Sequence, residues 1–79
     1  MRLTLYGRAY CHLCEDMATA LAPLAARYGF SVIEVDVDSD PELERRYGEL
    51  VPVLLGPDGR EICHYHLDVA ALRQRLAVE

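Results

Sequence analysis

Apolar and polar residues alternate through Arg2-Leu3-Thr4-Leu5-Tyr6, the period of a strand with one covered face, and Gly7 to Tyr10 reads as the loop that leaves it. The period then changes. Leu13, Met17, Leu21, Leu24 and Tyr28 recur three or four residues apart, which predicts a helix over 13–28 with Gly29 as its stop. Pro23 falls inside that pattern. It removes one intrahelical hydrogen bond and crowds the carbonyl of Thr19, so a kink or early break is expected there.

β-Branched residues return from Phe30 to Val37, with Ile33, Val35 and Val37 on one face and Glu34 and Asp36 on the other, as suits a half-covered edge strand. Ser39-Asp40-Pro41-Glu42 then opens a short helix: Ser39 or Asp40 caps it, the proline fits its first turn, and Glu42 complements the positive end of the dipole. That helix ends near Gly48. Val51 to Leu55 is a strand, Gly56-Pro57-Asp58-Gly59 a tight turn, and Arg60 to Tyr65 its antiparallel return. A final helix capped by Asp68 carries Val69, Leu72 and Leu76 on one face.

The predicted order is β-α-β-α-β-β-α, without internal repeats. Two strands joined through a helix run parallel with a right-handed crossover, and the hairpin completes a four-stranded mixed sheet with helices on both faces. The third strand is expected between the first and the fourth.

Composition narrows the class. Seventy-nine residues make one domain over 1–79, and 52% hydrophobic with 27% charged residues is an ordinary globular balance. The net charge of -5, with eight Lys+Arg scattered along the chain, argues against a nucleic-acid footprint. There is no apolar run of signal-peptide or membrane-spanning length, so a cytoplasmic protein with no membrane partner is expected. In a reducing compartment a Cys-x-x-Cys is catalytic or metal-binding rather than a structural bridge.

Cys11 and Cys14 form such a pair at the junction of the first strand and the first helix. If Cys11 opens the helix, unpaired N–H groups and the positive end of the dipole lie beside its sulfur and favour the thiolate. Inert core thiols, or half of a zinc site, are the competing readings. Cys63, His64 and His66, on or just after the fourth strand, would have to supply further ligands. Cys63 is expected to be a packed thiol, and His64, sharing a face with Ile62, a partly buried polar residue. His66 lies in a loop expected to open toward the same end as Cys11, as a lining of a substrate groove or as a solvated side chain. Tyr10 either shields the sulfur and meets substrate or covers the end of the first helix. Tyr6, Tyr28 and Tyr47 read as packing.

The element order, with Cys11-His12-Leu13-Cys14 after the first strand and Val51-Pro52 opening the third, resembles the thioredoxin fold, and at this length the chain is similar to glutaredoxin-like proteins over essentially its whole extent. The resemblance implies an α/β enzyme, a thiol-disulfide oxidoreductase in which Cys11 is the attacking thiolate and Cys14 the resolving thiol. It implies a cis Pro52, preceded by Val51, facing Cys11. Arg8 matches a basic residue that many glutaredoxins carry and would favour the thiolate, as would His12. Asp68 keeps the family's acidic residue at the last helix. The implied substrate site thus gathers Arg8, Tyr10, His12, Val51, Pro52, His66 and Asp68. Its substrates would be protein or low-molecular-weight disulfides, handled by a monomer without a resident cofactor, with glutathione or a thioredoxin-type reductase as electron donor. Three positions depart from the glutaredoxin pattern: His12-Leu13 replaces the proline-tyrosine pair, Leu50 the threonine before Val-Pro, and Tyr65-His66 the Gly-Gly. A metal carrier or iron-sulfur protein using Cys11 and Cys14, and a non-catalytic interaction module, remain open alternatives.

Overall fold

In a computed structural model describing residues 1–77, the sheet has the order β2-β1-β3-β4. Its strands are Arg2–Gly7 (β1), Ser31–Asp36 (β2), Val53–Leu55 (β3) and Glu61–His64 (β4). β1 pairs with β2 in parallel, while β3 runs antiparallel to both β1 and β4. The helices are His12–Tyr28 (α1), Pro41–Tyr47 (α2) and Val69–Leu76 (α3). The mixed α/β sheet predicted from the periodicities is therefore present in the predicted order.

Leu3 and Leu5 of β1, Leu54 of β3 and Cys63 of β4 face Met17 and Leu21 of α1, Leu72 of α3 and Phe30 in one buried cluster. Burying a leucine of this kind contributes about 1.5–3 kcal/mol relative to leaving it in water. Parallel partners share a face, so Val32 joins this side through Leu3 while Ile33 and Val35 lie with Thr4 and Tyr6 on the other. There Tyr47 of α2 stacks on Tyr6, with ring centroids 4.6 Å apart. α2 is short and leaves Ile33 40% exposed. The apolar alternation of β2 was legible, but its better-packed member is Val32 rather than Ile33.

Several local expectations change. α1 runs unbroken through Pro23, which sits on the exposed side of the helix. The stripe of Met17, Leu21 and Leu24 packed on the sheet holds the turns on either side, offsetting the roughly 3 kcal/mol cost of an internal proline. β2 stops at Asp36, since Val37–Ser39 forms a 3-10 turn whose start is capped by the Asp36 side chain. The hairpin strands are shorter than predicted, and a register shift at Leu54/Leu55 pairs Leu54 with Cys63 but Leu55 with Glu61. This bulge at Ile62 lets both Ile62 and Cys63 touch the core. His64 is consequently exposed rather than partly buried, and its Nδ1 lies 2.9 Å from Glu61 Oε2.

The caps follow the sequence closely. Gly29 ends α1 at φ 74°, donating its N–H to the Ala25 carbonyl. Asp40 caps α2 and Asp68 caps α3, through the N–H groups of Glu42 and Ala71.

Candidate functional site

The sheet register brings the candidate residues to one end of the molecule. Tyr6 pairs with Val53 and Val53 with His64, so the β1–α1 loop, the Val51-Pro52 segment and the Tyr65-His66 segment all leave the sheet at that edge. Cys11 is the N-cap of α1 in extended conformation, φ -102° and ψ 104°. Its Sγ accepts the Cys14 N–H at 3.2 Å, and its carbonyl accepts the Glu15 N–H at 3.1 Å. A sulfur occupies the place where a serine or aspartate oxygen commonly caps a helix.

Cys11 and Cys14 are joined by a disulfide, their Cα atoms 5.2 Å apart. Cys11 is partly exposed and Cys14 is only 8% exposed, so the two sulfurs differ in access. Gly7 backs the inner one: a methyl at that position would stand 3.3 Å from both Cβ and Sγ of Cys14. A cleft of 360 Å³ beside Cys14 is bounded by Leu5, Gly7, Arg8, Glu15 and Glu34 among others. Sequence reasoning passed over Gly7. Its only visible signal was a glycine at the end of the strand that precedes the cysteines.

The Val51-Pro52 bond is cis, as the resemblance implied. Val51 is partly buried and Pro52 fully so, and the Pro52 carbonyl accepts the N–H of Tyr65 at 2.9 Å. Tyr10, at φ 59°, is fully exposed and does not cover the helix end. His12 is also exposed, with Nε2 3.5 Å from Asp16 Oδ2. His66 is exposed and lines a smaller cleft with Leu13 and Tyr65, while Asp68 spends its carboxylate on the Ala71 N–H.

Arg8 is directed differently from the expectation. Its guanidinium reaches Asp38 at 2.9 Å and Glu44 at 3.3 Å, tying the β1–α1 loop to the segment after β2 and to α2. Desolvation is the largest single influence and lowers its pKa, but the hydrogen bonds and charges of the two carboxylates together outweigh it and hold the value above that of an ordinary arginine. Its Nε is buried without a partner. The acidic pair was not foreseen, because nothing local links positions 8, 38 and 44.

Cys63 is a free, buried thiol in the core, as expected. Burial pushes its pKa up, opposed in part by the Asp68 backbone amide. Among the described residues no group of three or more His, Cys, Asp or Glu side chains is placed to share a metal ion. Nor is any helix among them long and apolar enough to cross a membrane.

The model of the Glutaredoxin-like domain (DUF836) matches residues 2–77. Protein Ne2328 from Nitrosomonas europaea, solved in solution, is 36% identical with a TM-score of 0.84, covering 92% of this chain and 87% of that one. The crystal structure of protein XcR50 from X. campestris is 45% identical, with a TM-score of 0.73 and 95% of each chain covered. Uncharacterized protein Rv0508 of Mycobacterium tuberculosis is 35% identical over 96% of this chain and 82% of its own length. Thioredoxin 1 from Thermosipho africanus, only 15% identical, shares the fold with a TM-score of 0.66.

Proposed function

Since the chain belongs to the glutaredoxin-like domain family of the thioredoxin fold, we propose that it is a thiol-disulfide oxidoreductase that reduces protein or mixed disulfides through Cys11 and Cys14. The observation that carries the proposal is the placement of Cys11 at the N-cap of α1, its sulfur accepting the Cys14 N–H, with Cys14 bonded to it and screened from solvent.

The reaction has two displacements. The Cys11 thiolate attacks one sulfur of a substrate disulfide, forming a mixed disulfide and releasing the other substrate sulfur as a thiolate. Cys14, having lost its proton, then attacks Cys11 Sγ. The Cys11–Cys14 bond forms, the second substrate sulfur leaves, and two electrons have passed from protein to substrate. A low-molecular-weight thiol such as glutathione, or a thioredoxin-type reductase, then returns the pair to the dithiol.

The order of attack follows from access and charge. Cys11 is the more open sulfur, stands at the positive end of α1 and has the Cys14 N–H directed at it, so a negative charge is favoured there. Cys14 lies under cover next to Gly7, where an external disulfide does not reach it as readily. Alkylating the reduced protein with limiting iodoacetamide near neutral pH tests this. Modification at Cys11 before Cys14 and Cys63 is expected, and a Cys11→Ser variant that still reduces a glutathionylated peptide would defeat the proposal.

A further inference from the structure

Tyr65 holds a backbone conformation that L side chains rarely adopt, φ 64°, at a place where glycine would sit without strain. Three contacts fix it there. Its N–H donates to the Pro52 carbonyl at 2.9 Å, its hydroxyl donates to the Glu49 carbonyl at 3.0 Å, and its ring meets the His64 ring edge-on with centroids 4.6 Å apart. The two hydrogen bonds grip both ends of the Glu49–Pro52 tetrapeptide. A strained residue persists where its surroundings over-determine it. Glycine could make the backbone bond unaided, so what the tyrosine adds is its ring and hydroxyl.

Tyr65, 41% exposed, lines a cleft of 180 Å³ bounded also by Leu13, Met17 and Ala20 of α1 and by Leu67, with Asp16 and His66 as its polar members. Leu13 lies between the two cysteines of the dithiol. The cleft is smaller than the roughly 300–1,000 Å³ of sites that enclose a whole small-molecule ligand, and suits one large apolar side chain. Charge selects further. Asp16 lines the cleft, and Arg8 is already paired with Asp38 and Glu44. A segment entering here gains by burying an apolar group and by bringing a basic neighbour, and loses by bringing a carboxylate.

We infer that this cleft is a subsite for the residue flanking the reacting cysteine of a polypeptide disulfide, and that Tyr65 is the wall that sets its preference for apolar over acidic residues. The inference rests on the exchange chemistry proposed for Cys11 and Cys14. It assigns Tyr65 to substrate selection, with no part in the bond changes.

The test mixes the reduced full-length chain, in single turnovers, with disulfide-linked peptide dimers carrying Leu or Glu beside the cysteine, and with bis(2-hydroxyethyl) disulfide as a flank-free probe. The Leu peptide is expected to react about tenfold faster than the Glu peptide, the scale of one partly buried apolar side chain. Tyr65→Ala, which removes the wall, and Ala20→Leu, which fills the cleft while leaving the Tyr65 backbone alone, should each bring that ratio to within about threefold. Ala20→Leu decides the matter should Tyr65→Ala fail to fold. Equal rates for the two peptides, or a preference that survives Ala20→Leu, overturns the subsite. Failure of all three disulfides to react overturns instead the exchange reaction beneath it.

Discussion

An alanine at position 7 would press its methyl group against the resolving sulfur, and the cost should depend on redox state. A Cβ there stands 3.3 Å from Cys14 Cβ and Sγ, inside the roughly 3.5–4.0 Å at which non-bonded carbon pairs are most favourable. Gly7 ends a regular strand, so alanine recovers the roughly 0.5–1 kcal/mol that glycine costs in such a position. Crowding a packed site costs about 1–3 kcal/mol. The balance is a destabilisation of about 1 kcal/mol. In the oxidised protein the Cys14 sulfur is tied to Cys11 and cannot swing aside, whereas the free thiol can rotate about χ1. The Cβ contact is common to both forms and is offset by the recovered cost of glycine, so the Sγ contact places the net penalty mainly on the disulfide form. Its melting temperature should drop by about 4–8 °C for a loss of that size, with little change in the reduced form. The same difference makes the pair more oxidising by about 20 mV, on the scale of roughly 30 mV for 1.4 kcal/mol. Thermal melts of both forms and equilibration in defined thiol-disulfide buffers measure the two effects. Equal losses in both forms, or a potential shifted toward the reducing side, would refute the argument that the Gly7 contact acts on a tethered sulfur.

Two further outcomes concern stability. Leu54 is fully buried in β3, between β1 and β4, so Leu54→Ala should cost about 2–5 kcal/mol; urea unfolding should show a lower midpoint at unchanged slope, and an unchanged midpoint would contradict its place in the core. The Arg60 backbone amide, aided by Arg75, holds the Asp58 carboxyl below its ordinary pKa. A depressed folded-state pKa adds stability above the unfolded value, and that stability is lost as pH falls through the folded one. Asp58→Asn should therefore lower the melting temperature at neutral pH, with the difference from the parent chain closing in acid below that folded value; a difference that persists there would mean the amide, not the charge, is responsible.

What the sequence revealed and what it hid divide by range of interaction. Caps, the Gly29 stop, the hairpin turn and the edge position of β2 depend on neighbours a few residues away, and each was readable from residue type and spacing. The bulge at Ile62 was not, because it depends on how β4 meets β3. Pro23 misled for a related reason: the local rule counts the lost hydrogen bond, and the packing of Met17 and Leu21 that outweighs it lies across the core. At the candidate site the Cys11 cap was foreseen from its position between strand and helix. The tie from Arg8 to Asp38 and Glu44 was not, since it spans 30 and 36 positions.

That tie bears on which group would hold a charge on Cys11 in the proposed reaction. Arg8 in isolation would act on the sulfur as a free cation, but two carboxylates face its guanidinium, so the field it projects outward is largely cancelled. His12, exposed and next to Asp16, is offset in the same way when protonated. What remains directed at the sulfur is the start of α1, where the Cys14 N–H already donates to it. A hydrogen bond from a backbone amide is fixed by the fold, involves no side-chain rotamer, and is not screened by salt as an exposed ion pair is. The arginine fastens the loop that precedes Cys11 to the Asp38 turn and to α2, and in the proposed reaction its part would be indirect, to keep the capping sulfur at the helix start where the Cys14 N–H donates to it.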